Sequence, residues 1–242
     1  MRRIESPTNP LVKTLRRLAH PRKRETQFLL EGKKLVDAAL ASGTAIETIV
    51  VSSAYRSTPP KDVAVVELDD ALFGNVSTLA SPEGILAIAR RPLPAMPRAG
   101  LIAVAAGIQD PGNLGALARV VEATGAAGLI VLKGSTDPFG PKAVRGSMGS
   151  VLRVPVCEVS DMSELDTFRK IALVPRGGSD YKKVNWASPC AVVLGGESAG
   201  IDDEMRSRCD AEASIPMHGE VESLNVATAA ALVLYEATRR EG

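Results

Sequence analysis

Residues 101–132 read LIAVAAGIQDPGNLGALARVVEATGAAGLIVL, and they decide the fold class. Leu101 to Ala106 is a strand of small and β-branched residues. Asn113 to Thr124 is a helix stopped by Gly125, and Gly128 to Leu132 is the next strand. Downstream the alternation continues, with Pro141 to Met148 helical, Val154 to Val159 a strand and Asp161 to Lys170 a helix. Ile171 to Pro175 and Ala191 to Leu194 are two more apolar strands. Wholly apolar strands alternating with helices imply a parallel sheet covered on both faces.

The chain closes on a short strand ending at Ile215-Pro216-Met217, a polar loop, and a long helix opened by Ser223-Leu224-Asn225. Ser and Asn suit a helix entrance because their side chains accept from the free amides there. Val226, Ala229, Ala230, Leu232, Val233 and Leu234 make this helix apolar on more than one face. That fits a central packing helix. It also fits one that closes a ligand site at its polar start and packs against a second subunit.

Upstream of residue 101 lies a smaller α/β unit. Leu11, Leu15 and Leu18 recur at helical spacing after the turn cluster Ser6 to Pro10, with Lys13, Arg16 and Arg17 on the other side. Phe28 to Gly32, Ile46 to Val51, Val63 to Leu68 and Ile85 to Ala89 read as strands. Lys33 to Ala41 and Asp69 to Asn75 read as helices. Three prolines within residues 91–100 favour a stiff, extended linker. The expected organisation is therefore residues 1–90, a linker over 91–100, and a second domain over 101–242.

The net charge of +1 conceals an asymmetry. Residues 1–34 hold ten basic and three acidic side chains, a charge of +7 that leaves −6 for the remainder. No acid falls between Lys13 and Arg24, a span that also holds Arg16, Arg17, Arg22 and Lys23. Charge gathered this way suits phosphate binding, so RNA or DNA is the expected partner. No apolar run approaches the ~20 residues of a membrane helix, and the basic N-terminus lacks an apolar signal core. Cys157, Cys190 and Cys209 are widely spaced without His at ligand spacing, so they read as reduced thiols with no metal site. A cytoplasmic protein is expected.

Parallel α/β sheets bind ligands beyond the carboxyl ends of their strands. Three such ends are polar and Gly-rich: Gly107 to Arg119, Leu194 to Ile201, and Ile215 to Asn225. Glycines let backbone approach a ligand, and the helix start near Asn113 offers free amides. The phosphate-loop pattern Gly-x4-Gly-Lys-Ser/Thr is absent, and Gly112-Asn-Leu-Gly115 lacks the dinucleotide glycine spacing. With only His20 and His218, no Ser-His-Asp set is suggested, and His218 reads as a loop residue.

Together the three segments resemble the signature motifs of the SpoU (TrmH) branch of the SPOUT methyltransferases, knotted enzymes that methylate RNA ribose 2′-hydroxyls. Asp110-Pro-Gly-Asn-Leu-Gly-Ala-Leu-Ala-Arg119 is similar to the first motif and Leu194-Gly-Gly-Glu-Ser-Ala-Gly200 to the second. Ile215-Pro-Met217 with Ser223-Leu-Asn-Val226 is similar to the third. Ser6 to Lys13 and Phe28 to Val36 resemble the substrate-binding domain often attached in this family, itself similar to a ribosomal protein fold.

The resemblance implies a knotted parallel-sheet domain preceded by a small RNA-binding domain. It implies S-adenosyl-L-methionine held largely by backbone, with Gly195, Ile215 and Leu224 lining the pocket and Leu194, Gly196 and Met217 beside them. It also implies a homodimer packed through the C-terminal helix, and a ribosomal RNA substrate in preference to a transfer RNA.

For the chemistry, the arginine corresponding to Arg119 is the family's activating group. Guanidinium stays protonated and is a poor base, so grip on a phosphate and stabilisation of a developing alkoxide is the sounder role. Asn113 is expected to orient Arg119 or the ribose, and Glu197 to hold that arginine or a backbone group. Ser223 and Asn225 are expected to tie the third loop and contact the methionine part of the cofactor. Arg145, beside Ser147 and Gly149, is a further candidate for RNA phosphate. A base-directed methyltransferase and a non-catalytic RNA-binding protein are the rival readings.

Overall fold

In the computed structural model, residues 2–60, 62–197 and 200–239 are described. The first unit runs β1 (Arg2–Ile4), α1 (Pro10–Ala19), β2 (Gln27–Glu31), α2 (Lys33–Ala41), β3 (Ile46–Ser52), β4 (Val65–Leu68), α3 (Asp70–Gly74) and β5 (Ile85–Arg90). Asn9 starts α1 by accepting from the Leu11 amide at 2.9 Å, and Pro10 occupies the first turn, where its missing N–H costs nothing. The strands form one sheet in the order β1-β4-β3-β5-β2, with β5 antiparallel to both its neighbours. Alternate side chains divide between its faces. Leu29, Val50, Leu86 and Ile88 pack with Val12, Leu15 and Leu18 of α1 and Phe73 of α3. Phe28, Leu30, Ile49, Val51, Ile85, Ala87 and Ala89 pack on the other face with Val36 and Ala39 of α2. Burial on both faces is why these strands are apolar at nearly every position.

The second unit runs β6 (Leu101–Ala106), α4 (Pro111–Thr124), β7 (Gly128–Leu132), α5 (Pro141–Ser147), β8 (Val156–Val159) and β9 (Arg169–Leu173). It continues through β10 (Ser179–Asp180), β11 (Cys190–Gly195), α6 (Asp203–Ser207), β12 (Ala211–Ser214) and α7 (Val226–Arg239). Its seven strands are all parallel, in the order β10-β12-β9-β11-β6-β7-β8. Leu101, Ala103, Ala105, Val192 and Leu194 face α4 and α7. Ile102, Val104, Ala191 and Val193 face Met162, Leu165 and Phe168. The order is not sequential. β11 inserts between β9 and β6, β12 lies beyond β9, and the chain then returns over residues 215–225 to lay α7 against α4.

Several boundaries differ from those read in the sequence. The segment 161–170 is no helix: a single 3-10 turn (Met162–Leu165) is capped by Asp161, and β9 starts at Arg169. The Arg169 amide bonds the Pro189 carbonyl (2.9 Å) and the Lys170 amide bonds Asp210 (2.7 Å), which draws the chain into the sheet. Helix α4 begins two residues earlier than Asn113. Asp110 accepts from the Asn113 amide at 2.8 Å with Pro111 in the first turn, so Asn113 sits inside the helix. The strand expected to end at Ile215-Pro216-Met217 is instead Ala211–Ser214, and Pro216, lacking an N–H, lies in the irregular stretch that follows. The short β1, β10 and α6 went unread.

The two sheets meet over a mixed seam. The Phe28 and Phe139 rings lie 5.1 Å apart, and the half-buried Arg91 guanidinium lies 5.0 Å from the Phe139 centroid. Arg91 reaches Asp137 at 2.6 and 2.7 Å and pairs with Glu158. Arg24 also pairs with Glu158 and donates to the Ser135 carbonyl (2.9 Å). Arg145 donates to Thr78 Oγ1 at 2.8 Å, and Thr78 is tied in turn to the buried Glu31. The linker is thus pinned at its first residue.

Candidate functional site

Beyond the carboxyl ends of β9 and β11, a cleft of about 810 Å³ opens between residues 173–176, 194–197, 200–201 and the returning stretch 215–229. Leu194, Gly195, Gly196, Ile215, Met217 and Leu224, the six positions expected at a cofactor, all line it, together with Glu197, Ser223 and Asn225. Ser198 and Ala199 of the second motif lie outside the described residues. Glycine is required here by close backbone approach. A Cβ on Gly195 would meet the Gly200 carbonyl carbon at 2.3 Å, and one on Gly196 the Gly107 oxygen at 2.2 Å.

At the mouth, the three motifs are joined by a directional chain of hydrogen bonds. Asn225 caps α7, its Oδ1 accepting from the Ala227 amide at 3.0 Å. Its Nδ2 is thereby turned outward and donates to Asn113 Oδ1 at 2.8 Å. Asn113 must then present its own Nδ2, which donates to Glu197 Oε1 at 2.5 Å. Each amide orientation follows from its neighbour, and the chain ends on a carboxylate oxygen, an acceptor. Glu197 is therefore engaged with Asn113 and not with Arg119. Arg119 is exposed, lies outside the lining of the cleft, and makes no hydrogen bond or ion pair among the described residues. Six residues separate it from Asn113, about 9 Å along the helix axis.

Of the basic candidates, Lys13, Arg16, Arg17, Arg22 and Lys23 are exposed on α1 and the turn after it, with Arg17 paired to Glu25. Arg24 and Arg145 are held at the seam between the units by Glu158 and Thr78. Leu173, Val174, Pro175, Arg176, Arg206 and Glu222 also line the cleft and were not singled out in the sequence. The signal for the first four was present, since they end or follow β9 at the same edge of the sheet as the Gly-rich loops. Among the described residues no group of three or more His, Cys, Asp or Glu could hold a metal. Burial pushes the Cys157 thiol up and Cys209 to about 11, so both stay protonated at neutral pH.

The cleft suits S-adenosylmethionine on its own terms. Its volume is that of small-ligand sites, its glycine walls leave backbone exposed, and Ile215, Met217 and Leu224 offer apolar faces to a purine. A seven-stranded parallel sheet with a glycine-walled cleft at its strand ends, closed by the returning C-terminal stretch, is the frame of a SPOUT methyltransferase. Residues 100–235 match the SpoU rRNA Methylase family and residues 9–87 the MRM3-like substrate binding domain. The chain belongs to the SpoU rRNA Methylase family, and is an RNA methyltransferase that uses S-adenosylmethionine.

It is 30% identical over 245 residues to the Bacillus subtilis 23S rRNA (guanosine(2553)-2′-O)-methyltransferase RlmP, covering 97% of this chain and 98% of that one. It is 28% identical over 245 residues to the 23S rRNA (uridine(2479)-2′-O)-methyltransferase of Streptomyces viridochromogenes, covering 90% and 85%. Among solved structures, the AdoMet-bound rRNA methyltransferase from Sinorhizobium meliloti superposes with a TM-score of 0.85 at 29% identity, covering 99% and 98% of the two chains. The SpoU methyltransferase AviRb from Streptomyces viridochromogenes, in complex with AdoMet, gives 0.87 at 25% identity, covering 96% and 98%.

Proposed function

We propose that this protein transfers a methyl group to a ribose 2′-hydroxyl of ribosomal RNA, with residues 1–90 docking the RNA and residues 101–242 carrying the chemistry. The observation that carries the reading is the Asn225–Asn113–Glu197 chain, which fixes polar groups from all three motifs at the mouth of one glycine-walled cleft. The ribosomal target is supported by the 23S rRNA activity of the relatives. Bound in the cleft, the cofactor supplies an electrophilic methyl on a sulfonium.

The chain's own residues do the rest. Gly195, Gly196, Leu194, Ile215, Met217 and Leu224 hold the nucleoside, while Ser223 and Asn225 fix the third loop at the methionine end. Asn113, anchored from both sides, orients the ribose. Arg119, exposed and unpaired, meets the adjacent phosphate and the oxygen as charge develops on it, and the hydroxyl proton leaves to phosphate or water. Lys13, Arg16, Arg17, Arg22 and Lys23 bind RNA phosphates, while Arg24 and Arg145 keep the docking unit in register with the cleft. Incubation with labelled S-adenosylmethionine and ribosomal RNA, followed by digestion to nucleosides, tests this. Label in a 2′-O-methyl nucleoside is expected; label on a base, or only in transfer RNA, would refute the assignment.

The working form we infer is a homodimer in the cytoplasm. Support comes from α7, which leaves Leu232 (41% exposed) and Tyr235 (55%) side by side on its outer face while Ala230, Val233 and Leu234 pack inward. Apolar pairs on an outward helix face suit association with a second copy. Among the described residues no helix is long and apolar enough to cross a membrane. The double variant Leu232→Asp/Tyr235→Asp should sediment as a folded monomer at concentrations where the wild type is dimeric; an unchanged sedimentation coefficient would exclude this face.

A further inference from the structure

Among the described residues, four charged side chains line the cleft: Arg176, Glu197, Arg206 and Glu222. Two are committed. Glu197 accepts from Asn113, and Arg206 lays two guanidinium nitrogens on Glu212 at 2.8 Å each. Arg176 and Glu222 make no hydrogen bond or ion pair among the described residues, and both are exposed to the cleft mouth. Strand order fixes their side of it. Asn113 follows β6 and Glu197 follows β11, whereas Arg176 follows β9, the neighbour of β11 on the side away from β6. Glu222 directly precedes Ser223 on the returning stretch. One uncommitted cation and one uncommitted anion thus line the cleft, with Arg176 across β11 from Asn113.

An α-amino acid end presents this pair of charges in reverse, a carboxylate and an ammonium on one carbon. We propose that Arg176 and Glu222 form the amino-acid subsite of the cleft, Arg176 taking the α-carboxylate and Glu222 the α-ammonium of S-adenosylmethionine. The proposal rests on the reading of this cleft as the cofactor site. Guanidinium presents a planar fork that matches a carboxylate, and each charge-assisted bond is stronger than its neutral counterpart. The apolar and glycine-lined part of the cleft is left for the nucleoside, and the sulfonium lies between the two.

The test compares two ligands in calorimetric titrations of the full-length protein. S-adenosylhomocysteine carries the amino-acid end, and 5′-methylthioadenosine lacks it. Arg176→Ala and Glu222→Gln should each weaken S-adenosylhomocysteine about tenfold while leaving 5′-methylthioadenosine unchanged. Arg176→Lys should recover part of the loss. Equal weakening of both ligands would mean a general disturbance of the cleft and would overturn the proposal. So would unchanged S-adenosylhomocysteine binding in Arg176→Ala with reduced RNA affinity, which would make Arg176 a phosphate contact. A wild-type chain that bound neither ligand would refute the cofactor reading itself, an outcome visible before any variant is compared.

Discussion

Arg119→Ala should lower single-turnover methyl transfer by about 10²–10³-fold, the usual effect of deleting one preorganised donor at a developing oxyanion. Its dissociation constant for S-adenosylmethionine should stay within about twofold of wild type, because binding and chemistry involve different groups. The side chain lies outside the lining of the cleft and, among the described residues, holds no partner whose loss would disturb the fold. Arg119→Lys should recover only part of the rate, since an ammonium keeps the charge but not the fork that can touch phosphate and ribose oxygen together. Near-normal turnover in Arg119→Ala would remove the arginine from the chemistry. Equal loss of cofactor affinity and rate would instead assign it to the binding of cofactor.

Asn113→Ala should behave differently. It breaks both bonds of the Asn225–Asn113–Glu197 chain at once, leaving a carboxylate and an amide without their partners at an exposed site. The contrast marks what was legible in the sequence. The glycines of Leu194-Gly-Gly-Glu and the Ser-Leu-Asn helix entrance advertise a backbone-built cleft locally, and the residues read from them line one cavity. The hydrogen-bond chain was hidden because its members stand at 113, 197 and 225, and only the α7 cap fixes which way each amide points.

Charge was similarly ambiguous. Arg24 belongs to the basic run by position, yet its partner Glu158 lies in the other sheet; Arg145 likewise meets Thr78. A run of cations records how many charges are near one another in sequence, not which acids the fold will bring to them. The segment 161–170 failed for a related reason. Met162, Leu165 and Phe168 repeat at a helical spacing and are all buried, but the Asp210 and Pro189 contacts that make β9 come from 20 or more residues downstream.

Gly196→Ala should abolish cofactor binding as far as calorimetry can detect it, while lowering stability only modestly. The added methyl would sit 2.2 Å from the Gly107 carbonyl oxygen and 3.0 Å from its carbon. Both are backbone atoms of the first-motif loop, so no side chain can swing aside to relieve the contact. The loop itself has to move. Overpacking of this kind costs about 1–3 kcal/mol, and in a chain of this size each kcal/mol lowers Tm by about 2–4 °C. The displacement carries a second consequence. Gly107 donates its amide to Ser135 Oγ at 2.9 Å and leads through Asp110 into Asn113, so a shift there is passed to the anchored amide at the cleft mouth. Gly219→Ala is the matched control, for a Cβ there meets nothing within 4 Å. It should bind cofactor and melt as the wild type does. If Gly196→Ala also bound normally, the first and second motif loops would not be held in the tight contact on which the cleft depends, and the cofactor would have to be placed elsewhere along the strand ends.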